Sequence, residues 1–365
     1  MKIALPIRSI GWRGGDNYVR SLRVALKEIS HENKRIKLID YHRVDKWLTP
    51  LTFLIPNRIE TIIKRQVYGH LGVNLPWSLV RYKRRPTYWI PDLQDIELPH
   101  FFDDAEIQKR ERQRNEVIRK EGIFYFSSSS SLSIFQSRYP QAHVGGFVRF
   151  TSSLDENESL NHQKLEIDCK NCQELGYFYV PNQWWMHKNH LLAIDAFKEY
   201  QQSGGQRHLI FSGNEYDFRN LSYRNEILSS LVELGATAHN FGEVEFNQQR
   251  LIFNSSKVIL QLSGYEGWST VVEEALRLGK PLVVSNLKIH EEQVSGEAGA
   301  LVVDPTDKEG VVRAMFNAES MPENPENTYF LRKERFKTDL INLLIRVEKH
   351  QMRWWERVIP RKRLE

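Results

Sequence analysis

The sequence predicts an α/β protein built as two doubly wound parallel-sheet domains in tandem. Three observations carry that reading. The chain has 365 residues, enough for two domains at roughly 100–200 residues each. Short apolar runs bounded by turn residues alternate with stretches of helical apolar spacing, most regularly after residue 177, which is the pattern of a parallel sheet covered on both faces. Composition is globular, with 41% hydrophobic and 27% charged residues and a net charge of +5, which argues against disorder. The mild positive charge suits anionic ligands or a membrane surface and does not call for nucleic acid. Two cysteines exclude a disulfide framework. No apolar run reaches the roughly 20 residues of a membrane span, and the first residues are too short in apolar length for a secretory signal. The expectation is a soluble, cytoplasmic protein.

Residues 2–7 read as a buried strand. Gly11-Trp12-Arg13-Gly14-Gly15 breaks that pattern, and Val19, Leu22, Ala25, Leu26 and Ile29 then recur at helical spacing over 17–29. Residues 36–39 form the next strand. Over 43–80 apolar residues are interrupted by Pro50 and Pro56, which predicts short helices, and the basic run at 81–85 reads as a solvated edge. Residues 87–90 are a strand ending at Pro91, 105–120 a charge-laced helix and 123–126 a strand. The serine run 127–131 reads as a strand-end loop. Residues 151–173 are polar and aperiodic and read as the linker, which gives a first domain at 1–165 and a second at 166–329. In the second, strands at 177–180, 208–211, 258–262, 281–285 and 300–303 alternate with helices at 191–200, 224–234 and 270–278. Ligands in such sheets bind outside the carboxyl ends of the strands, and between two such domains the cleft is the expected site.

The last element, 330–365, is a long helix with an apolar stripe of Phe336, Leu340, Leu343, Leu344 and Val347. It ends in Arg353-Trp354-Trp355-Glu356-Arg357 and Arg361-Lys362-Arg363. Two readings stand. The helix crosses back onto the first domain, or its basic, aromatic end meets the headgroup layer of the inner membrane and makes the protein peripheral there.

The stretch richest in chemistry is Ser263-Gly264-Tyr265-Glu266-Gly267-Trp268-Ser269-Thr270-Val271-Val272-Glu273-Glu274. It follows a strand and opens a helix. Thr270 and Glu273 have capping-box spacing, so the helix is expected to start at Thr270. First-turn N–H groups with Gly267 nearby make an anion site, and Glu266 and Glu274 flank it. An ionised Glu accepts two hydroxyl donors at once, which suits ribose and sugar. Spacing alone is equally consistent with a capped helix bearing two solvated glutamates.

Glu266-x7-Glu274 resembles the paired-glutamate motif of retaining glycosyltransferases of family 4, which have the GT-B fold. The surrounding residues match too: Leu278-Gly279-Lys280-Pro281, Ser285, His290-Glu291-Glu292-Gln293 and Pro181-Asn182-Gln183-Trp184-Trp185-Met186-His187-Lys188-Asn189-His190. Trp89-Ile90-Pro91-Asp92-Leu93-Gln94 and Leu98-Pro99-His100-Phe101-Phe102 resemble a branch of that family found in bacterial surface-polysaccharide synthesis. The resemblance covers most of residues 1–315.

The resemblance implies roles. Glu274 would hold the donor ribose, Glu266 the hydroxyls of the transferred sugar, and the amides near Ser269 and Thr270, beside Gly267 and Trp268, the diphosphate. Lys188 would neutralise the leaving phosphate. Gly14 and Gly15 occupy the place of an N-terminal glycine loop facing the donor, while Gly213, Asn214 and Val244 would line the nucleotide pocket. Two positions depart from the pattern. Gln183 stands where the family often has Arg, and Asp95 where the branch has a His beside the reacting sugar; Asp95 could still accept a proton or orient a hydroxyl.

The substrates so implied are a nucleotide-diphosphate sugar, with GDP-linked mannose suggested by analogy, and a glycan or lipid-linked acceptor in polysaccharide or lipopolysaccharide synthesis. No obligatory cofactor or metal is implied, since the chain has no Asp-x-Asp motif. A phosphorylase-like use of the fold lacks a lysine context for a pyridoxal cofactor. The rival reading is a catalytically impaired sugar-nucleotide binder or partner subunit. Cys169-Lys170-Asn171-Cys172 has no second ligand pair in the sequence, so it reads as a pair without function. His187 and His190 read as structural hydrogen-bonding residues.

Overall fold

The computed structural model describes residues 2–4, 13–33, 36–39, 85–152, 170–217, 219–321 and 328–358. The helices expected over 43–80, the run 81–84, the boundary at 165 and the side chains of the tryptophan-bearing tail lie outside the described residues. Residues 1–153 and 331–365 form one unit, and 154–330 a second.

In the first unit, β1 (Lys2–Ala4) and β2 (Lys37–Ile39) pair in parallel. Between them runs α1 (Arg13–Glu32), which buries Tyr18, Leu22, Leu26 and Ile29. Gly14 and Gly15 stand in the first turn of this helix rather than in a loop. β3 (Thr87–Ile90), β4 (Ile123–Phe126) and β5 (His143–Phe147) form a parallel sheet in that order. Trp89 of β3 stacks on Tyr18 of α1 at 3.9 Å between centroids and donates from Nε1 to Ser127 Oγ at 3.0 Å. After β3 come α2 (Gln94–Glu97) and α3 (Asp104–Arg119), the latter capped by Asp103, whose carboxylate accepts from Glu106 N at 2.7 Å. The serine run is not only a loop. Ser128 Oγ accepts from Ser131 N at 3.1 Å and caps α4 (Ser129–Arg138), the bond that makes Ser favourable at this position.

The described part of the second unit opens with α5 (Lys170–Leu175), which overlaps the end of the segment expected to be linker, followed by β6 (Tyr177–Val180). The remaining elements alternate: α6 (His190–Gln202), β7 (His208–Phe211), α7 (Leu221–Leu234), β8 (Ala238–Asn240), α8 (Phe246–Ser255), β9 (Val258–Gln261), α9 (Thr270–Arg277), β10 (Leu282–Ser285), α10 (Lys288–Val294), β11 (Ala300–Val303) and α11 (Lys308–Glu319). The six strands are parallel in the order β11-β10-β9-β6-β7-β8, which is the doubly wound arrangement with its switch point between β6 and β9. Strand alternation sorts the core. Phe178, Val180, Leu209, Phe211, Val258 and Leu260 face α6, α7 and α11, while Tyr177, Tyr179, Ile210, Ile259 and Val284 face α8 and α9. Full burial of each such side chain is worth about 1.5–3 kcal/mol.

The chain then returns to the first unit as α12 (Tyr329–Val358). Phe336, Leu340, Leu343, Leu344 and Val347 are all buried there, so the stripe is consumed by protein packing. Arg149 grips Asp339 through Nε and Nη2 at 2.8 and 2.9 Å, and Lys333 pairs with Glu28 of α1 at 2.8 Å. Arg85, read as a solvated edge, is instead engaged: it pairs with Glu121 and donates to the His350 carbonyl at 2.8 Å.

Candidate functional site

At the switch point the apolar strand β9 ends in a polar residue. Gln261, the last residue of β9, is fully buried. Its Nε2 donates to Ser263 Oγ at 2.8 Å and to Glu266 Oε1 at 2.7 Å, while its Oε1 accepts from Asn182 Nδ2 at 2.9 Å. Buried polar groups persist where they are paired in this way. Ser263 Oγ also donates to Glu266 Oε1, at 2.8 Å.

Lys188 completes the group. It ends a 3-10 turn, Met186–Lys188, after which Asn189 adopts a positive φ of 59° and starts α6. Gly264 N–H donates to the His187 carbonyl at 2.7 Å and ties this turn to the loop after β9. Lys188 Nζ thereby stands 2.5 Å from Glu266 Oε1. Three donors converge on that one oxygen, and among the described residues none donates to Oε2. Burial alone pushes the Glu266 carboxyl up; the Lys188 ammonium, with His290 and His187 alongside, outweighs it and holds the group below the usual carboxylate range.

Three buried histidines surround the pair. His190 Nε2 lies 3.3 Å from the Asn182 carbonyl, and His290 Nδ1 lies 3.0 Å from Ser285 Oγ, which in turn donates to the Ser263 carbonyl at 2.5 Å. Burial, reinforced by Lys188, lowers His187 and His190 to about 3 and His290 to about 4, so all three are neutral at pH 7.

α9 begins at Thr270 as its spacing predicts, but its cap is Ser269, whose hydroxyl accepts from Val272 N at 3.4 Å. Gln293 clamps the Ser269 peptide from both sides, accepting from its N–H at 3.2 Å and donating to its carbonyl at 3.0 Å. The Ser269 amide is therefore engaged, and the first-turn amides of Thr270 and Val271 are the ones without an acceptor inside the helix. Glu274 is buried one turn further on. The neighbouring strand end closes this side of the site. Gly213 has a φ of +146°, and a Cβ there would stand 2.3 Å from the Asn182 carbonyl oxygen. Its N–H donates to the Gly242 carbonyl, and the Asn214 carbonyl accepts from Trp184 N at 2.9 Å. Asn214 Nδ2 reaches Glu243 at 3.4 Å, and Val244 packs on the core beneath α8.

The structure thus gathers Lys188, Glu266, Ser269, Thr270, Glu274, Gly213 and Asn214 around one end of one sheet, with Gln183, Gly267, Trp268 and Val244 on the loops there. Gln261 carried no reading in the sequence, and Ser263, which opens the motif, was given no role there. The available signal was a glutamine closing the apolar run Val258-Ile259-Leu260.

Gly14, Gly15 and Asp95 belong to the other unit. Asp95 is buried, with Arg114 Nη2 at 2.5 Å from one carboxylate oxygen and Arg110 at 3.7 Å from the other. Arg114 in turn donates from Nε to the Tyr139 hydroxyl at 3.0 Å. The structure thus places a buried ion pair at the position where the sequence suggested a carboxylate able to accept a proton or orient a hydroxyl. Removing one partner of a buried pair costs about 3–5 kcal/mol. Asp95→Ala is therefore expected to lower the unfolding free energy, read from urea denaturation of the purified protein, by an amount of that order. An unchanged unfolding free energy would show that the pair contributes nothing to stability.

Fold and site together define an α/β protein of the GT-B class, in which a cation–carboxylate pair and a helix N-terminus meet at the switch point of a Rossmann-like domain. Residues 177–329 match the family model for glycosyl transferases group 1. Over 148 residues the chain is 26% identical to the O-antigen chain mannosyltransferase RfbU of Salmonella typhimurium strain LT2, a match spanning 40% of each chain. Similar solved structures include a UDP-forming α,α-trehalose-phosphate synthase from Burkholderia xenovorans, with a TM-score of 0.60 and 13% identity over 81% of this chain and 77% of that one. Another is trehalose-6-phosphate from E. coli bound with UDP-2-fluoro glucose, with a TM-score of 0.58 and 12% identity over 97% and 98%.

Proposed function

We propose that the chain is a retaining hexosyltransferase, moving a sugar from a nucleotide-diphosphate donor to a hydroxyl of a glycan or lipid-linked acceptor in cell-surface polysaccharide synthesis. Mannose is the sugar the Salmonella relative suggests. The observation that carries this reading is the Lys188–Glu266 pair held at the switch point by Gln261 and Ser263, inside the segment matched to the family.

Each atom of the pair has a use. Lys188 Nζ has three N–H donors and spends one on Glu266, so two remain for a phosphate oxygen. Glu266 Oε2 accepts a sugar hydroxyl while Oε1 is pinned. The Thr270 and Val271 amides take the diphosphate, and Glu274 takes the ribose hydroxyls. No carboxylate of this site is left over as a covalent nucleophile, so the reading is displacement on one face. The bond from C1 to the phosphate oxygen breaks as the acceptor oxygen bonds C1 from the same side, and the acceptor proton passes to the departing diphosphate. Pre-placed positive charge at the leaving group is the main catalytic device.

Glu274→Ala is expected to raise the donor KM and dissociation constant, whereas Glu266→Gln mainly lowers turnover. The check is initial-rate kinetics with the donor found by binding, together with the anomeric configuration of the product by NMR. Wild-type rates in both variants, or an inverted product, would contradict the assignment. Donor binding without turnover against a broad acceptor panel would favour the sugar-nucleotide-binding partner, the reading that neutral Gln183 keeps in play.

A further inference from the structure

Gln261 is placed in a way that core packing does not require. It ends β9, pairs with Val284 of β10 and is fully buried. A buried amide is costly unless it is hydrogen-bonded, and a leucine would fill such a position without that cost. Here both N–H groups and the carbonyl are used, and they are directed. Oε1 accepts from Asn182 Nδ2 at 2.9 Å, while Nε2 donates to Ser263 Oγ at 2.8 Å and to Glu266 Oε1 at 2.7 Å. Ser263 passes its own hydroxyl hydrogen to the same Oε1 at 2.8 Å. The three residues close a ring in which every donor runs toward the carboxylate. Turning the amide over would set Gln261 Oε1 against Glu266 Oε1 and Gln261 Nε2 against Asn182 Nδ2, so only one orientation fits. Both neighbours of the amide are anchored in turn. The Asn182 carbonyl stands 3.3 Å from His190 Nε2, and a Cβ on Gly213 would stand 2.3 Å from its oxygen. The Ser263 carbonyl accepts from Ser285 Oγ of β10 at 2.5 Å.

We propose that Gln261 is the positioning residue of the donor site: by holding Glu266 Oε1 inward it presents Oε2 to the hydroxyls of the sugar, and so governs recognition of the sugar rather than of the nucleoside diphosphate. The inference rests on the donor-site reading given above. Lys188, the third donor to Oε1 at 2.5 Å, is a point charge on a flexible stem and sets distance more than direction. Direction comes from the amide–hydroxyl ring, which stops the carboxylate from turning about its last torsion. The groups assigned to the nucleotide are Lys188, the Thr270 and Val271 amides and Glu274, and Gln261 is hydrogen-bonded to none of them. Loss of the Gln261 amide therefore acts on the sugar end of the donor and spares the diphosphate end.

The test is calorimetry on the full chain with four pairs of probes: GDP and GDP-mannose, UDP and UDP-glucose, ADP and ADP-glucose, dTDP and dTDP-glucose. Gln261→Leu is expected to weaken the nucleotide sugar by roughly 10–100-fold, the worth of a hydrogen bond to a charged group, and the free diphosphate by less than about threefold. Gln261→Glu adds a readout that a merely structural role would not move. While it holds a proton, the introduced carboxyl still donates to Glu266; once ionised, it repels it. The other titratable groups acting on Glu266 are Lys188, His290 and His187, and the two rings are neutral above about pH 5. Between about pH 6 and 9 the nucleotide-sugar affinity of Gln261→Glu should therefore fall with rising pH, while that of the wild type stays level. Circular dichroism melting checks that the variants fold, and the pH profile of Gln261→Glu decides if Gln261→Leu does not. Equal losses for sugar and diphosphate, wild-type affinities in folded Gln261→Leu, or a Gln261→Glu profile parallel to the wild type would overturn the inference and leave the donor site standing. Wild-type protein that binds none of the eight probes would overturn the donor-site reading and the inference together.

Discussion

Replacing Lys188 by alanine is expected to lower turnover by about 10²–10³-fold, the cost of removing one pre-placed donor from a developing negative charge, with a smaller effect on nucleotide binding. The expectation follows from position and company. Lys188 Nζ lies 2.5 Å from Glu266, and the residue five places earlier, Gln183, is uncharged. Of these two positions only Lys188 offers a cation, so little remains to compensate its loss. Lys188→Arg should restore part of the rate, because the charge returns on a longer, planar group. Single-turnover kinetics with saturating donor is the measurement. A loss smaller than threefold would mean the leaving group is stabilised elsewhere.

The second large effect is acid lability. His187 and His190 are lowered to about 3 and His290 to about 4, each first by burial, against an ordinary value near 6.5. Between those values and 6.5 the unfolded chain binds more protons than the folded one, so stability falls as pH falls. With all three histidines contributing, the loss approaches three protons, or about 4 kcal/mol per pH unit at its steepest. Glu266, also lowered, acts in the same direction below its ordinary range. Denaturant unfolding at a series of pH values should show a flat region above about pH 7 and a steep decline below 6. Constant stability from pH 7 down to 5 would mean these rings are solvated or already protonated.

Much of this architecture was legible because periodicity and burial coincide. β6, β7, β9 and β10 are buried throughout, so they read as continuous apolar runs, and α9 starts at Thr270 as expected, although its cap is Ser269 rather than Thr270. What was not legible depends on distant partners. β5 contains Gly145-Gly146, which reads as a breaker; a Cβ at Gly145 would stand 2.7 Å from Leu343 of α12, so the glycine answers to a helix nearly 200 residues away. α4 is serine-rich and takes its start from the Ser128 cap. Asp95 read as a group that accepts a proton or orients a hydroxyl because its partner Arg114 lies in another element. His208 and His239 are 31 residues apart and meet only because β7 and β8 are neighbours.

On the proposed function, the second domain binds a nucleotide-diphosphate sugar at the Glu266–Glu274 segment. Calorimetric titration of the purified protein with GDP-, UDP-, ADP- and dTDP-sugars, repeated with Glu274→Ala, tests it most directly. Saturable binding of one nucleotide class is expected, weakened in the variant while its melting temperature is kept. Binding to none of the four, or equal binding by the folded variant, would contradict it.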